Sequence, residues 1–94
     1  MDFIEVRNEK DTSEERAPSE YKSWLDFWEK KKGKKAVSCE VMTCDHIAEV
    51  GGHVIKIDDK NYLDVYIMLL CYACNNKPED EVFKAWEGDL ILVE

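Results

Sequence analysis

This 94-residue chain has no apolar run approaching the ~18 residues that a membrane-spanning helix requires, which excludes a transmembrane reading. Its first residues, Met1-Asp-Phe-Ile-Glu-Val-Arg7, lack a basic segment followed by an apolar one. No secretory signal is therefore expected there, and the expected setting is intracellular (cytoplasmic) and reducing. There is no odd cysteine: all four thiols fall into two doublets, Cys39-Glu-Val-Met-Thr-Cys44 and Cys71-Tyr-Ala-Cys74. There is no surplus of positive charge either. The formal balance is −8, which opposes nonspecific nucleic-acid binding, because that binding is driven by neutralising phosphates and releasing counterions. Histidine is scarce: His46 and His53 are the only two, and neither has a Ser, Cys or Asp arrangement suited to nucleophilic catalysis. No internal repeat is visible.

What is present is a metal-ligand spacing. A C-x4-C, 26 intervening residues and a C-x2-C put two thiolates on a turn and two on a second element. Four such sulfurs can converge at about 2.3 Å around one Zn²⁺. Disulfides and unligated buried thiols are the competing readings. A reducing setting favours the metal over a disulfide, and a redox C-x2-C would want a βαβ context and leave Cys39 and Cys44 unexplained. Cys39, Cys44, Cys71 and Cys74 are the candidate ligands of a structural zinc, with His46 or His53 as the replacement should one cysteine be out of reach. The metal would matter for folding. Residues 1–18 read as a polar, flexible segment broken by Ala17-Pro18, leaving one domain over residues 19–94. A core of about 75 residues sits where burial and ordering entropy nearly cancel. Structural zinc contributes about 10–16 kcal/mol in small peptides, enough to decide the outcome.

The elements predict a small α+β fold. Ser19 precedes Tyr21, Trp24, Leu25 and Trp28, an apolar set at helical spacing, so an amphipathic helix is expected from Ser19 to about Lys31, ended by Gly33. Gly51-Gly52 is expected to turn the chain into a strand at His53-Val-Ile-Lys-Ile57. Asp58-Asp-Lys-Asn61 is turn chemistry, and Tyr62 to Leu70 returns as a second strand. Val65 to Leu70 is apolar throughout, which predicts a strand covered on both faces. Pro78 with Glu79, Asp80 and Glu81 reads as a helix start, Val82, Phe83 and Trp86 as its inner face, and Gly88 as its end. Leu90 to Val93 predicts a last strand. A C-x4-C turn, a β-hairpin and a C-x2-C at the mouth of a helix is the order of a treble-clef zinc finger.

The stretch from Cys39 to Asn75, with Gly51-Gly-His53-Val ahead of a strand and Leu69-Leu-Cys71-Tyr-Ala-Cys74-Asn75 after it, resembles the HNH family of ββα-metal nucleases. It is most similar to members that carry a structural zinc beside the catalytic hairpin. The resemblance implies that His53 takes the general-base position on the first strand. The preceding position, where the family often has an Asp or His as metal ligand, is Gly52, and Tyr66 stands where an Asn often orients the base. Asn75 and Asn76 are available on the helix side, no histidine follows Cys74, and Asp45 or Asp58 would have to be recruited as ligand. The frame is intact and the catalytic set is depleted.

Charge supplies the remaining expectation. Five lysines crowd into Lys30 to Lys35, either a small phosphate-contacting patch or a solvated helix end where cations meet the negative pole of the dipole. Acidic residues are spread through the rest of the chain, including Asp58-Asp59 and Glu79-Asp80-Glu81, and an acidic face suits a partner protein with a basic surface. In size and acidity the chain is similar to phage or mobile-element inhibitors of nucleases, including anti-CRISPR proteins. The expected function is thus a non-catalytic zinc-binding protein-interaction module, with weak or no direct nucleic-acid binding. The alternatives are an HNH endonuclease using His53 and a nucleic-acid-binding finger using Lys30 to Lys35.

Overall fold

A computed structural model describes residues 3–9, 17–57 and 64–93. The chain forms an α+β domain around one five-stranded antiparallel sheet, in the order β4-β1-β2-β3-β5. The strands are β1 (Phe3–Asn8), β2 (Val50–Lys56), β3 (Tyr66–Leu70), β4 (Phe83–Trp86) and β5 (Ile91–Leu92). Helix α1 spans Trp24–Lys32 and α2 spans Tyr72–Asn75. No helix among the described residues is long and apolar enough to cross a membrane.

The expected hairpin is present: β2 pairs with β3 from Val50↔Leu70 to Val54↔Tyr66. The apolar run also behaves as predicted. On β3, Ile67 and Leu69 pack against Phe27 and Trp28 of α1, while Met68 and Leu70 face the opposite way, into a cluster with Val6, Val54 and the cysteines. A strand buried on both sides cannot alternate polar and apolar residues, so it reads as continuous hydrophobicity. The turn expected at Asp58 to Asn61, and Asp58 as a recruited ligand, lie outside the described residues.

Helix α1 begins four residues later than Ser19 predicts. Ser23 is the N-cap, accepting from the Asp26 amide at 3.1 Å, and Ser19 belongs to a turn in which the Tyr21 amide donates to the Pro18 carbonyl. Tyr21 still reaches the helix, ring to ring with Phe27 at 5.1 Å, which is why it mimicked a helical position. Gly33 closes α1 with a left-handed φ of 69°, its amide donating to Glu29 O. Trp28 is almost wholly buried and satisfies its indole N–H on the Asp89 carbonyl at 2.8 Å.

Three expectations give way. Gly51 and Gly52 do not turn the chain; they lie inside β2, where a side chain would collide. A Cβ at Gly51 would stand 2.6 Å from the Trp24 backbone, and one at Gly52 would stand 2.4 Å from the Leu70 side chain. The predicted C-terminal helix is strand β4 followed by a short 3-10 turn at Glu87–Asp89 that contains Gly88. Its burial alternates, Phe83 and Ala85 inward and Lys84 and Trp86 outward, because β1 offers it an edge. That edge is the third correction. Packing begins at Phe3 rather than near Ser19, with β1 between β2 and β4 and with Val6 and Asn8 buried. The predicted strand near Leu90 to Val93 is β5, paired with β3.

Candidate metal centre

Each cysteine is held by local backbone chemistry. Cys39 and Cys44 flank a tight knuckle in which Cys44 N donates to Val41 O and Cys39 N donates to His46 O, both at 2.9 Å. The knuckle is pinned to the sheet by Glu40 N on Leu69 O at 2.9 Å and Met42 N on Lys84 O at 3.0 Å. Cys71 follows directly on β3 and is the N-cap of α2, its sulfur accepting from the Cys74 amide at 3.4 Å. Cys74 lies one turn on, so α2 presents both sulfurs to the knuckle.

The four Sγ atoms all lie within 4.8 Å of one another, and none is in a disulfide. Cys44 and Cys71 are 3.8 Å apart, which matches the edge of a tetrahedron with metal–sulfur arms of about 2.3 Å. Cys39, Cys71 and Cys74 are buried and Cys44 is partly so. Burial pushes the Cys71 thiol up, but hydrogen bonds from the Cys74 amide and from Cys74, His46 and Cys44 outweigh it and bring it down to about 6. Burial pushes the Cys39 thiol up, and burial together with Cys71 and Cys39 pushes Cys74 up. The donor set and its spacing fit a metal ion. His46 is exposed, with Nδ1 3.6 Å from the Cys44 sulfur, so it stands beside the cage that the four thiols already close.

His53 is elsewhere. It is buried in β2, edge-on to Trp24 at 4.8 Å, and lines a cleft that includes Asn75 and Asn76 but none of the cysteines. Asp45 opens onto a different hollow beside Cys44 and His46. Tyr66 lies under the Lys56 ammonium, 4.5 Å from the ring centroid. His53, Asn75 and Asn76 thus share one cleft, with Glu9 as a lining carboxylate, while Asp45 and Tyr66 lie outside its described lining.

The lysine cluster is largely engaged within the domain. Lys30 pairs with Asp26 at 3.0 Å, Lys31 and Lys34 lie over the rings of Phe27 and Trp28, and Lys32 donates to the Gly88 carbonyl. These contacts anchor the end of α1 and favour the solvated-helix-end reading. Sequence reasoning missed two groups. Asn8 donates through Nδ2 to the carbonyls of Cys74, Asn75 and Lys77, tying β1 to the end of α2 and the residues after it. Glu40 is half-buried and close to Asp89; burial and that neighbouring carboxylate push it up to about 7, against the pull of Lys34 and Lys32. No local sequence pattern marks either residue. Comparison with protein-family models, curated proteins and solved structures gave no match.

Proposed function

We propose that this chain is a zinc-stabilised interaction module without catalysis of its own, built on a treble-clef-like frame and directed at a protein with a basic surface. The observation that carries it is the closed cage: four protein sulfurs, three of them buried, within 4.8 Å of one another. A soft, all-thiolate set suits Zn²⁺, and four protein ligands leave no open position for substrate, which is the pattern of structural rather than catalytic zinc. The order of knuckle, β2-β3 hairpin and Cys71 at the mouth of α2 supports the treble-clef frame. The −8 balance and the internal engagement of the lysines support a basic protein partner over nucleic acid, with Asp80 and Glu81 exposed beside Glu79. A nuclease gripping phosphates with arginines is the partner class this charge suits best, and a phage-borne or anti-CRISPR-like inhibitor is the narrow form of the reading.

The test joins two measurements. Native mass spectrometry gives one Zn²⁺ per chain, and a native pull-down from the host gives a discrete complex that weakens with salt and with charge reversal at Glu79, Asp80 and Glu81. A metal-free yet folded chain, or a complex indifferent to both treatments, overturns it. One observation favours a second reading, an HNH endonuclease: His53, Asn75 and Asn76 share a cleft. That reading requires nicking of plasmid with Mg²⁺, Mn²⁺ or Ni²⁺ that disappears in His53→Ala.

A further inference from the structure

The four thiols are not equally protected. Cys39, Cys71 and Cys74 are 5%, 2% and 6% exposed, whereas Cys44, on the knuckle, is only partly buried. Cys44 borders a hollow of about 310 Å³, shared with Thr43, Asp45, Ala73 and Lys77 among others. Cys74 borders it too, from its buried position. A cage that leaves no open position on its ion thus still presents one sulfur at the surface.

We propose that Cys44 is an oxidation site for a hydroperoxide, and that Cys71 resolves the product into a disulfide that opens the cage. The inference rests on the zinc reading of the thiol cluster and goes beyond it by making the metal releasable. Access is the first support: reactivity toward oxidants follows thiolate character and exposure, and Cys44 leads its neighbours in exposure. Proximity is the second. The Cys44 and Cys71 sulfurs stand 3.8 Å apart, so reaching the disulfide length of about 2.05 Å takes roughly 1.8 Å of approach.

In the first step the Cys44 thiolate gives an electron pair to one peroxide oxygen. An S–O bond forms, the O–O bond breaks, and the departing alkoxide takes a proton from water. The Cys71 thiolate then attacks the sulfenic sulfur; an S–S bond forms, the S–O bond breaks, and hydroxide leaves to be protonated. The two thiolates together lose two electrons, and the hydroperoxide is reduced to an alcohol and water (two waters from hydrogen peroxide). Only Cys39 and Cys74 then remain as thiolates, half the set that a structural zinc site requires, and the ion departs. A small uncharged hydroperoxide suits the hollow. A bulky anionic disulfide such as oxidised glutathione would meet Asp45 and the clustered thiolates there.

The experiment exposes the zinc-loaded full chain to hydrogen peroxide. Released zinc is followed with a chromogenic chelator and the thiols are mapped by peptide mass spectrometry. One arm adds dimedone, which traps sulfenic acids, and another replaces the peroxide with oxidised glutathione. Zinc and the Cys44–Cys71 disulfide appear together in equal amounts, dimedone is found on Cys44, and dithiothreitol with zinc restores the starting state. Oxidised glutathione acts about tenfold more slowly. Ala73→Leu fills the hollow from the exposed side of α2 with a good helix former; it slows both products about fivefold while zinc content and Tm stay at their wild-type values. Thr43→Leu does the same from the knuckle, should the helix variant lose metal. Dimedone on Cys39 or Cys74, a mixture of pairings, zinc release without a disulfide, glutathione outrunning peroxide, or rates unchanged in both variants each overturn the inference. A chain that carries no zinc before oxidation removes the zinc reading by itself, and the peptide map still decides the pairing.

Discussion

On one face of the sheet, α1 lays Phe27 and Trp28 against Ile67 and Leu69; on the other, Val6, Val54, Met68 and Leu70 surround four thiols. The helix face is held by area and by ring geometry, with Tyr21 and Trp24 both edge-on to Phe27 at 5.1 and 5.2 Å. Each side chain there contributes separately, so a loss is local and graded. The thiol face places crowded sulfurs where an aliphatic core would put carbon, and on the proposed zinc reading its stability is conditional on a cation drawing them together. Two halves of one sheet therefore fail in different ways: one by increments, the other all at once.

The sharpest way to break that comparison is Cys71→Ser, or chelation of the wild type. Either one abolishes cooperative thermal unfolding followed by circular dichroism, consistent with a metal contribution of about 10–16 kcal/mol. A Tm unmoved by both would mean that the thiols pack without a metal. Next comes Trp28→Ala on the helix face, which costs about 3–5 kcal/mol in denaturant unfolding yet leaves the metal stoichiometry at its wild-type value. Loss of metal in this variant would couple the two faces. Ser23→Ala is smaller, about 1 kcal/mol, because only the N-cap contact to Asp26 goes.

A pH-dependent effect sharpens the boundary between the faces, where Glu40 on the knuckle meets Asp89 near α1. Glu40 has its folded pKa raised from 4.5 to about 7, so its contribution is fully present below its unfolded pKa and is lost as pH rises through about 7. Glu40→Gln, which imitates the protonated acid, is accordingly more stable than wild type at about pH 8 and much closer to it at about pH 5. Thermal melts of the pair at both pH values read this directly, and a difference that does not change with pH would place the carboxylates apart.

What could be read from the sequence follows from how local each signal was. The thiol cage was legible because Cys39, Cys44, Cys71 and Cys74 carry their chemistry in their spacing, and β3 because a strand buried twice is apolar throughout. The α1 stripe was legible too, although Tyr21 packs on the helix from outside it and shifted the expected start to Ser19. Strands β1 and β4 were not legible, because each looks marginal alone. Phe83-Lys-Ala-Trp86 satisfies helical spacing when joined to Val82, and only its pairing with Phe3 to Val6 selects the extended form. Asn8 gave no sign at all, since its partners are main-chain carbonyls far along the chain.

The position of β1 has a kinetic consequence. Phe3 pairs with Trp86 and Val6 with Phe83, so one edge of the sheet joins segments about 80 residues apart. Translation would deliver β1 long before its neighbour on that side, leaving a strand with an open edge until Phe83 to Trp86 had emerged. Such a molecule acquires its native form late and slowly, because that edge of the sheet closes only once β4 is available to β1.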